Sequence, residues 1–138
     1  MRKLDYANVA IGQMLPELKL SPISRTTLAL FAGASGDHNP IHIDSDFARQ
    51  AGMPDVFAHG MLSMAYLGRM LTDWVPQQCL REFNSRFSAL AHLGNVLICS
   101  GKVVAKYEEG GEKLVKVEIQ STDQFGEVKV LGEALVAL

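Results

Sequence analysis

One stretch decides how this chain folds: Gly60-Met61-Leu62-Ser63-Met64-Ala65-Tyr66-Leu67-Gly68-Arg69-Met70-Leu71-Thr72-Asp73. Its residues are apolar almost all the way round, which is typical of a helix that is buried on most of its faces. The stretch is too short to span a membrane, and it carries Arg69 and Asp73. The rest of the chain is therefore expected to wrap this helix.

The second half of the chain supplies the wrapping. Segments rich in Val, Ile and Phe with period-two patterning predict strands at about 82–90, 96–107, 113–122 and 128–137. Hairpin turns are predicted between the last three strands, at Glu109-Gly110-Gly111-Glu112 and Asp123-Gln124-Phe125-Gly126. An antiparallel sheet wrapped around a central apolar helix is an α+β architecture, and we expect it to form a single domain over residues 1–138.

The first half of the chain is mainly helical. Ser24 suits the N-cap of a helix that ends near Gly36, and Asp44 or Ser45 can cap a second, short helix that stops at Gly52.

Between these two helices lies the segment that carries the chemistry, Asp37-His38-Asn39-Pro40-Ile41-His42. The pair Asn39-Pro40 prevents an ordinary helix, because a residue before proline is pushed away from the α region and proline has no N–H. Asp37 and His42 are therefore expected to project from a loop. A carboxylate and an imidazole held near one point can orient a water molecule and relay its proton, which is general acid–base chemistry.

A metal site is the competing interpretation of this segment. His38 and His42 stand four residues apart, a spacing that could bind a metal on a helix. The intervening Asn39-Pro40 disrupts that geometry, and no Cys or Glu nearby completes a set of ligands. We therefore expect no metal.

The chain contains the motif Ser35-Gly36-Asp37-x-Asn39-Pro40-x-His42-x-Asp44 and, further along, His59-Gly60-Met61-Leu62. Together these two motifs resemble the MaoC-like dehydratases, a family that includes (R)-specific enoyl-thioester hydratases. A third piece, Glu82-Phe83-Asn84-Ser85-Arg86-Phe87, is similar to the first strand after the central helix in the (3R)-hydroxyacyl dehydratase branch. The resemblance implies a hot-dog fold without a metal or organic cofactor. It also implies reversible hydration of trans-2-enoyl thioesters of CoA or acyl-carrier protein to (3R)-3-hydroxyacyl thioesters.

On this resemblance, Asp37 and His42 are the expected catalytic pair, with a water held between them. The N–H of Gly60, at the start of the central helix, is the best candidate to bond the thioester oxygen. We place Asn39, His59, Met61 and Leu62 in the substrate-binding group.

Each of those four residues also has a structural interpretation. Asn39 can organise its own loop, and a histidine beside an apolar helix start is often a satisfied structural group. The Met-rich helix face suits either the core or the lining of an acyl pocket. The chain also departs from the family at Gly68, where some hydratases have a serine, so no role of that hydroxyl is carried over.

Composition limits the possible partners. The net charge of −2, with scattered Lys and Arg, forms no basic stripe, so a nucleic-acid partner is not expected. With no secretory signal and no membrane span, we expect a cytoplasmic protein that has no membrane partner. A chain of 138 residues is small for an enzyme that encloses a long ligand, so we expect a homodimer or a hetero-oligomer with another hot-dog chain.

Two other functions remain open at this point. A hot-dog acyl thioesterase would bind the same thioesters, although the D-x-N-P-x-H motif is not the arrangement expected there. An acyl-binding subunit of a heteromeric dehydratase would be inactive alone, and the presence of both Asp37 and His42 favours the active member instead.

Overall fold

The computed structural model describes residues 4–138. In chain order, its helices and strands are β1 (Leu18–Lys19), α1 (Arg25–Ser35), α2 (Ser45–Gln50), α3 (Gly60–Trp74), β2 (Leu80–Phe87), β3 (Ile98–Glu109), β4 (Glu112–Thr122) and β5 (Val128–Ala137). No helix among these residues is long and apolar enough to cross a membrane.

The strands form one sheet in the order β1-β3-β4-β5-β2, in which all neighbours are antiparallel. Strand β2 follows α3 in the chain and crosses to the far edge of the sheet, beside β5. One side of β2 is therefore free of any partner strand within residues 4–138. The curled sheet around α3 confirms the predicted α+β, hot-dog architecture.

The core lies between α3 and the inner face of the sheet. Leu67, Met70 and Leu71 of the helix are buried there against apolar side chains from β3, β4 and β5. A second cluster around Leu28 and Ala48 fills the space between α1, α2 and the start of α3. Burial of these side chains supplies the main stabilisation, about 25 cal/mol per Å² of apolar surface.

The prediction that α3 is buried on most of its faces is wrong for one side of the helix. Met61, Ala65, Arg69 and Thr72 are exposed, and the Met61 side chain retains 56% of its accessible surface. The sheet covers one side of α3 and the cluster around Leu28 covers part of another, but no residue within 4–138 covers the side that carries Met61. An apolar position therefore stays open to solvent at the start of α3.

The helix ends agree with the predicted capping residues. The Ser24 hydroxyl accepts from the Thr27 N–H at 3.1 Å, and the Asp44 carboxylate accepts from the Asp46 N–H at 2.9 Å. Strand β2, in contrast, occupies residues 80–87 instead of 82–90. It ends early because the N–H groups of Ser88 and Ala89 both donate to the Lys129 carbonyl, so the regular pairing with β5 stops there.

Candidate active site

Asp37 follows directly on the end of α1. Gly36 caps this helix with φ of 78°, a left-handed conformation that glycine adopts at little cost. The Ser35 hydroxyl then accepts from the Asp37 N–H at 3.2 Å, and the Asp37 carboxylate accepts from the Asn39 N–H at 3.3 Å. These local bonds hold the carboxylate at the protein surface, immediately beyond the helix.

His42 lies in a short 3-10 helix, Pro40–His42, and not in irregular loop. The Asn39 side chain starts this turn by accepting from the Ile41 N–H at 3.1 Å, which agrees with its interpretation as a loop organiser. The His42 Nδ1 lies 2.7 Å from the carbonyl oxygen of Phe57. Because a carbonyl can only accept, Nδ1 carries the hydrogen, and the Nε2 of neutral His42 has its lone pair free to accept a proton.

His59 is buried between these two groups. Its Nε2 donates to the backbone carbonyl of Asp37 at 3.1 Å, and its ring stacks on the His42 ring with centroids 3.9 Å apart. The Phe31 and His59 rings also pack in a T-shaped arrangement, with centroids 4.9 Å apart. The structure therefore supports the structural interpretation of His59, with the additional feature that it contacts both members of the predicted pair.

The His59 ring is held in its neutral form. Burial lowers its pKa below the ordinary value of 6.5; the bond to the Asp37 carbonyl opposes this shift, and the nearby His42 adds to it. Within residues 4–138, no group bonds its buried Nδ1. A proton added at Nδ1 would thus find no acceptor there, which is costly in a buried site.

Asp37, His42 and His59 converge on one point. Each contributes a side-chain N or O atom, and these atoms lie within 4.8 Å of one another. A water with hydrogen bonds of ~2.8 Å can bridge groups that lie about 4.6 Å apart, so this spacing suits a held water. Two ligand atoms on one zinc ion lie at most ~4.2 Å apart. The spacing here therefore suits a bridging water better than a zinc ion.

Gly60 begins α3 beside this cluster. No side chain caps the helix, and no carbonyl of residues 4–138 accepts from the Gly60 N–H. This N–H is an orphan donor at the positive end of the helix dipole. A Cβ at this position would lie 3.2 Å from the Phe87 ring, so close packing with Phe87 also favours glycine here.

A cavity of about 260 Å³ opens next to Gly60. Its lining is mostly small or apolar and comes from the start of α3 and the residues before it, from the end of β2 and the following loop, and from β5. It includes Ala58, Gly60, Ser63, Phe87, Leu90, Ala91 and Val130. Such a cavity, lined by Gly60 itself, can hold the apolar part of a ligand whose polar group reaches the Gly60 N–H.

Met61 and Leu62 do not line this cavity. Met61 points to the exposed side of α3, whereas Leu62 is buried in the cluster around Leu28. Sequence reasoning missed the Phe57 carbonyl and the Phe31 ring, because a backbone acceptor and an edge contact leave no pattern in the chain.

The family model for the MaoC like domain matches residues 7–124. The chain belongs to this family. It is 31% identical over 116 residues to the (R)-specific enoyl-CoA hydratase of Rhodospirillum rubrum, and the match covers 83% of this chain and 78% of that protein. The structure of the R-hydratase PhaJ1 from Pseudomonas aeruginosa is similar, with a TM-score of 0.83 and 31% identity, over 96% of this chain and 84% of that one.

The family also contains larger assemblies. The chain resembles a chain of the ChsH1-ChsH2 complex from Mycobacterium tuberculosis, with a TM-score of 0.80 and 25% identity, over 94% of this chain and 98% of that one. It also matches the fatty acid synthase subunit beta of Saccharomyces cerevisiae, at 29% identity over 91% of this chain, but spans only 6% of that protein's length.

The neutral, buried state of His59 predicts a pH-dependent stability. His59 of the unfolded chain binds a proton near its ordinary pKa of 6.5, whereas burial lowers the pKa in the folded protein. Acidification from about pH 7.5 to 5.5 should therefore reduce the free energy of unfolding, by up to ~1.4 kcal/mol for each pKa unit between the two states. Urea unfolding at both pH values measures this loss.

The variant His59→Gln supplies the comparison, because its amide can still donate to the Asp37 carbonyl but does not titrate. We expect it to lose less stability than wild type over the same pH interval. His38→Gln removes an exposed imidazole and serves as the matched control. Equal pH slopes in wild type and His59→Gln would contradict the assignment.

Proposed function

We propose that this protein catalyses the reversible hydration of trans-2-enoyl thioesters to (3R)-3-hydroxyacyl thioesters. The observation that supports it is the cluster of Asp37, His42 and His59 immediately before the start of α3, together with the uncapped Gly60, which lines a cavity. Its similarity to an (R)-specific enoyl-CoA hydratase agrees with this substrate class. The acyl carrier is CoA or acyl-carrier protein.

In the proposed reaction, a water bound between Asp37 and His42 attacks C3 of the enoyl group. The water oxygen forms a bond to C3 as the double bond breaks, one member of the pair takes the water proton, and a proton is returned to C2 from the same side. The free Nε2 of neutral His42 suits the acceptance of a proton. Positioned acid–base groups usually accelerate such a step by ~10²–10⁴-fold.

Negative charge develops on the thioester oxygen during this addition. The Gly60 N–H, with the dipole of α3 behind it, is the donor that we assign to that oxygen. The thioester would then lie across the helix start, with its acyl tail in the cavity beside Ser63 and Phe87. His59 is assigned a positioning role, since it bonds the Asp37 carbonyl and stacks on His42.

The proposal includes a second hot-dog chain, identical or different, paired along the free edge of β2. Exposed strand edges carry unpaired N–H and C=O groups that a second strand can satisfy. Three apolar residues near the end of β2 and the start of α3 are also exposed, namely Met61, Phe87 and Leu90. We also place the protein in the cytoplasm, since Cys79 and Cys99 are free thiols, as in a reducing compartment.

Crotonyl-CoA separates the candidate activities. Loss of enoyl absorbance without release of free thiol identifies the hydratase, whereas release of free thiol identifies a thioesterase. If neither signal is observed, an acyl-binding subunit is the remaining candidate. That result would contradict the proposed activity of this chain.

Asp37→Asn and His42→Ala should each lower kcat for crotonyl-CoA hydration by at least about 10²-fold with the fold retained. Because both groups act on one water, the double variant should be hardly slower than the slower single variant. Steady-state kinetics and circular dichroism test this. A single variant that kept more than a tenth of wild-type kcat would contradict a catalytic role for that residue. A double variant whose loss in kcat equals the product of the two single losses would contradict action on the same water.

Substitution of Gly60 isolates the orphan donor from the acid–base pair. His59 has φ of −57° and ψ of 136°, a conformation that a following proline accepts, and the first helical position tolerates proline. Gly60→Pro should therefore fold and lose about 10²–10³-fold in kcat. Gly60→Ala is the matched control, because it also brings a Cβ towards Phe87 but keeps the N–H.

We expect Gly60→Ala to retain much more activity than Gly60→Pro, with similar melting temperatures for the two variants. Equal kcat values in both variants would place the oxyanion donor elsewhere.

Static light scattering should give at least a dimeric mass at micromolar concentration. We expect this mass because a second chain would cover the free edge of β2 and the apolar residues beside it. A monomeric mass for active enzyme would contradict the proposed pairing.

A further inference from the structure

We propose that the Ser63 hydroxyl is a catalytic donor that binds the thioester oxygen together with the Gly60 N–H. This inference rests on the proposed function and adds one residue to it. Its basis is a buried hydroxyl that has no partner and belongs to the wall of the cavity beside Gly60.

Ser63 is a polar residue at a buried position. Its exposed fraction is 3%, and it lines the cavity. No group within residues 4–138 forms a hydrogen bond with its hydroxyl, whereas the Thr72 hydroxyl, further along α3, donates to the Arg69 carbonyl at 3.2 Å. Buried hydroxyls in folded proteins usually have a partner. A ligand in the cavity can supply the partner that the chain does not provide.

A missing partner alone does not mark a ligand site. The hydroxyls of Ser85 and Ser121 are also buried without a partner within residues 4–138, but neither residue lines this cavity. Ser63 differs from them because it combines the missing partner with a position on the cavity wall, on the same helix turn as an orphan N–H.

The geometry of α3 directs Ser63 towards the start of the helix. Residues three apart lie on the same face of a helix, about 5–6 Å from each other, and helical side chains lean towards the N-terminus. The side chain at position 63 therefore covers the turn that begins at Gly60, where no side chain occupies the space. Because both residues line the cavity, the O–H and the N–H can reach one ligand atom.

The surroundings strengthen such a pair of donors. Ala58, Ala91 and Val130 line the same cavity and are buried and apolar, whereas the second serine of the wall, Ser88, is exposed to solvent. A donor that is held in place away from water stabilises a developing charge more than a solvated donor does. Ser63 is therefore the hydroxyl of this wall that suits the task.

The proposed reaction gives the hydroxyl its partner. As the water oxygen bonds to C3, the electron pair of the C2–C3 double bond forms a double bond between C1 and C2, and the carbonyl pair moves onto the thioester oxygen. That oxygen then accepts two hydrogen bonds, one from the Gly60 N–H and one from the Ser63 O–H. When C2 takes up its proton, the carbonyl forms again, and Ser63 keeps its hydrogen throughout.

The test is the kcat of Ser63→Ala for crotonyl-CoA hydration. Loss of the donor should lower kcat by about 10²-fold, with little change in KM, because the bond strengthens in the transition state. The melting temperature should equal that of wild type or rise, since the variant removes a buried hydroxyl without a partner and introduces a better helix former. A residue that only stabilised the fold would give the opposite pattern, a lower melting temperature with unchanged kcat.

Two further variants isolate the hydroxyl. Ser63→Thr retains the O–H and should keep kcat close to that of wild type. Thr72→Ala is the matched control, because it removes a hydroxyl from the exposed side of the same helix, and it should leave kcat unchanged. Circular dichroism and melting curves accompany all three variants.

The outcomes separate the two proposals. If wild type hydrates crotonyl-CoA and a folded Ser63→Ala variant keeps the wild-type kcat or changes only KM, the donor role of Ser63 is wrong and the hydratase function stands. A Ser63→Thr variant as slow as Ser63→Ala would also contradict the donor role. A wild type that hydrates no enoyl-CoA would overturn the proposed function and, with it, this inference.

Discussion

Burial of the apolar side of α3 against the inner face of the sheet is the constraint on which the rest of the structure depends. Leu67, Met70 and Leu71 can leave water only if the sheet curls around them, and a sheet that curls this way brings the end of β2 to the first turn of the helix. The orphan N–H of Gly60 and the ring of Phe87 meet there. The cavity between them is thus a consequence of how the core packs.

His59 connects this helix to Asp37 and His42. It immediately precedes α3, donates to the Asp37 carbonyl and stacks on His42, so a single buried ring sets the positions of the two side chains relative to Gly60. These bonds require the neutral ring, with its hydrogen on Nε2. The same burial that orders the site therefore makes it sensitive to acid, because a charged His59 would lack both solvation and an acceptor for its second proton.

The site is open to solvent on the side of α3 that nothing in residues 4–138 covers. Met61 and Phe87 are exposed beside the free edge of β2, and the carboxylate of Asp37 faces solvent nearby. A second chain at that edge would shield the site from bulk solvent while the one reacting water stays bound. On the proposed pairing, assembly and catalysis would depend on the same surface.

Local patterns in the sequence determined the elements, the caps at Ser24 and Asp44, the loop that presents Asp37, and the family. These features depend on neighbours a few residues apart, where steric limits and periodicity act directly. The contacts of His59, the exposed side of Met61 and the packing of the Phe87 ring against Gly60 were decided only by the tertiary structure. Each joins residues that are distant in the chain, and packing selects such contacts through shape, which no pattern along the sequence records.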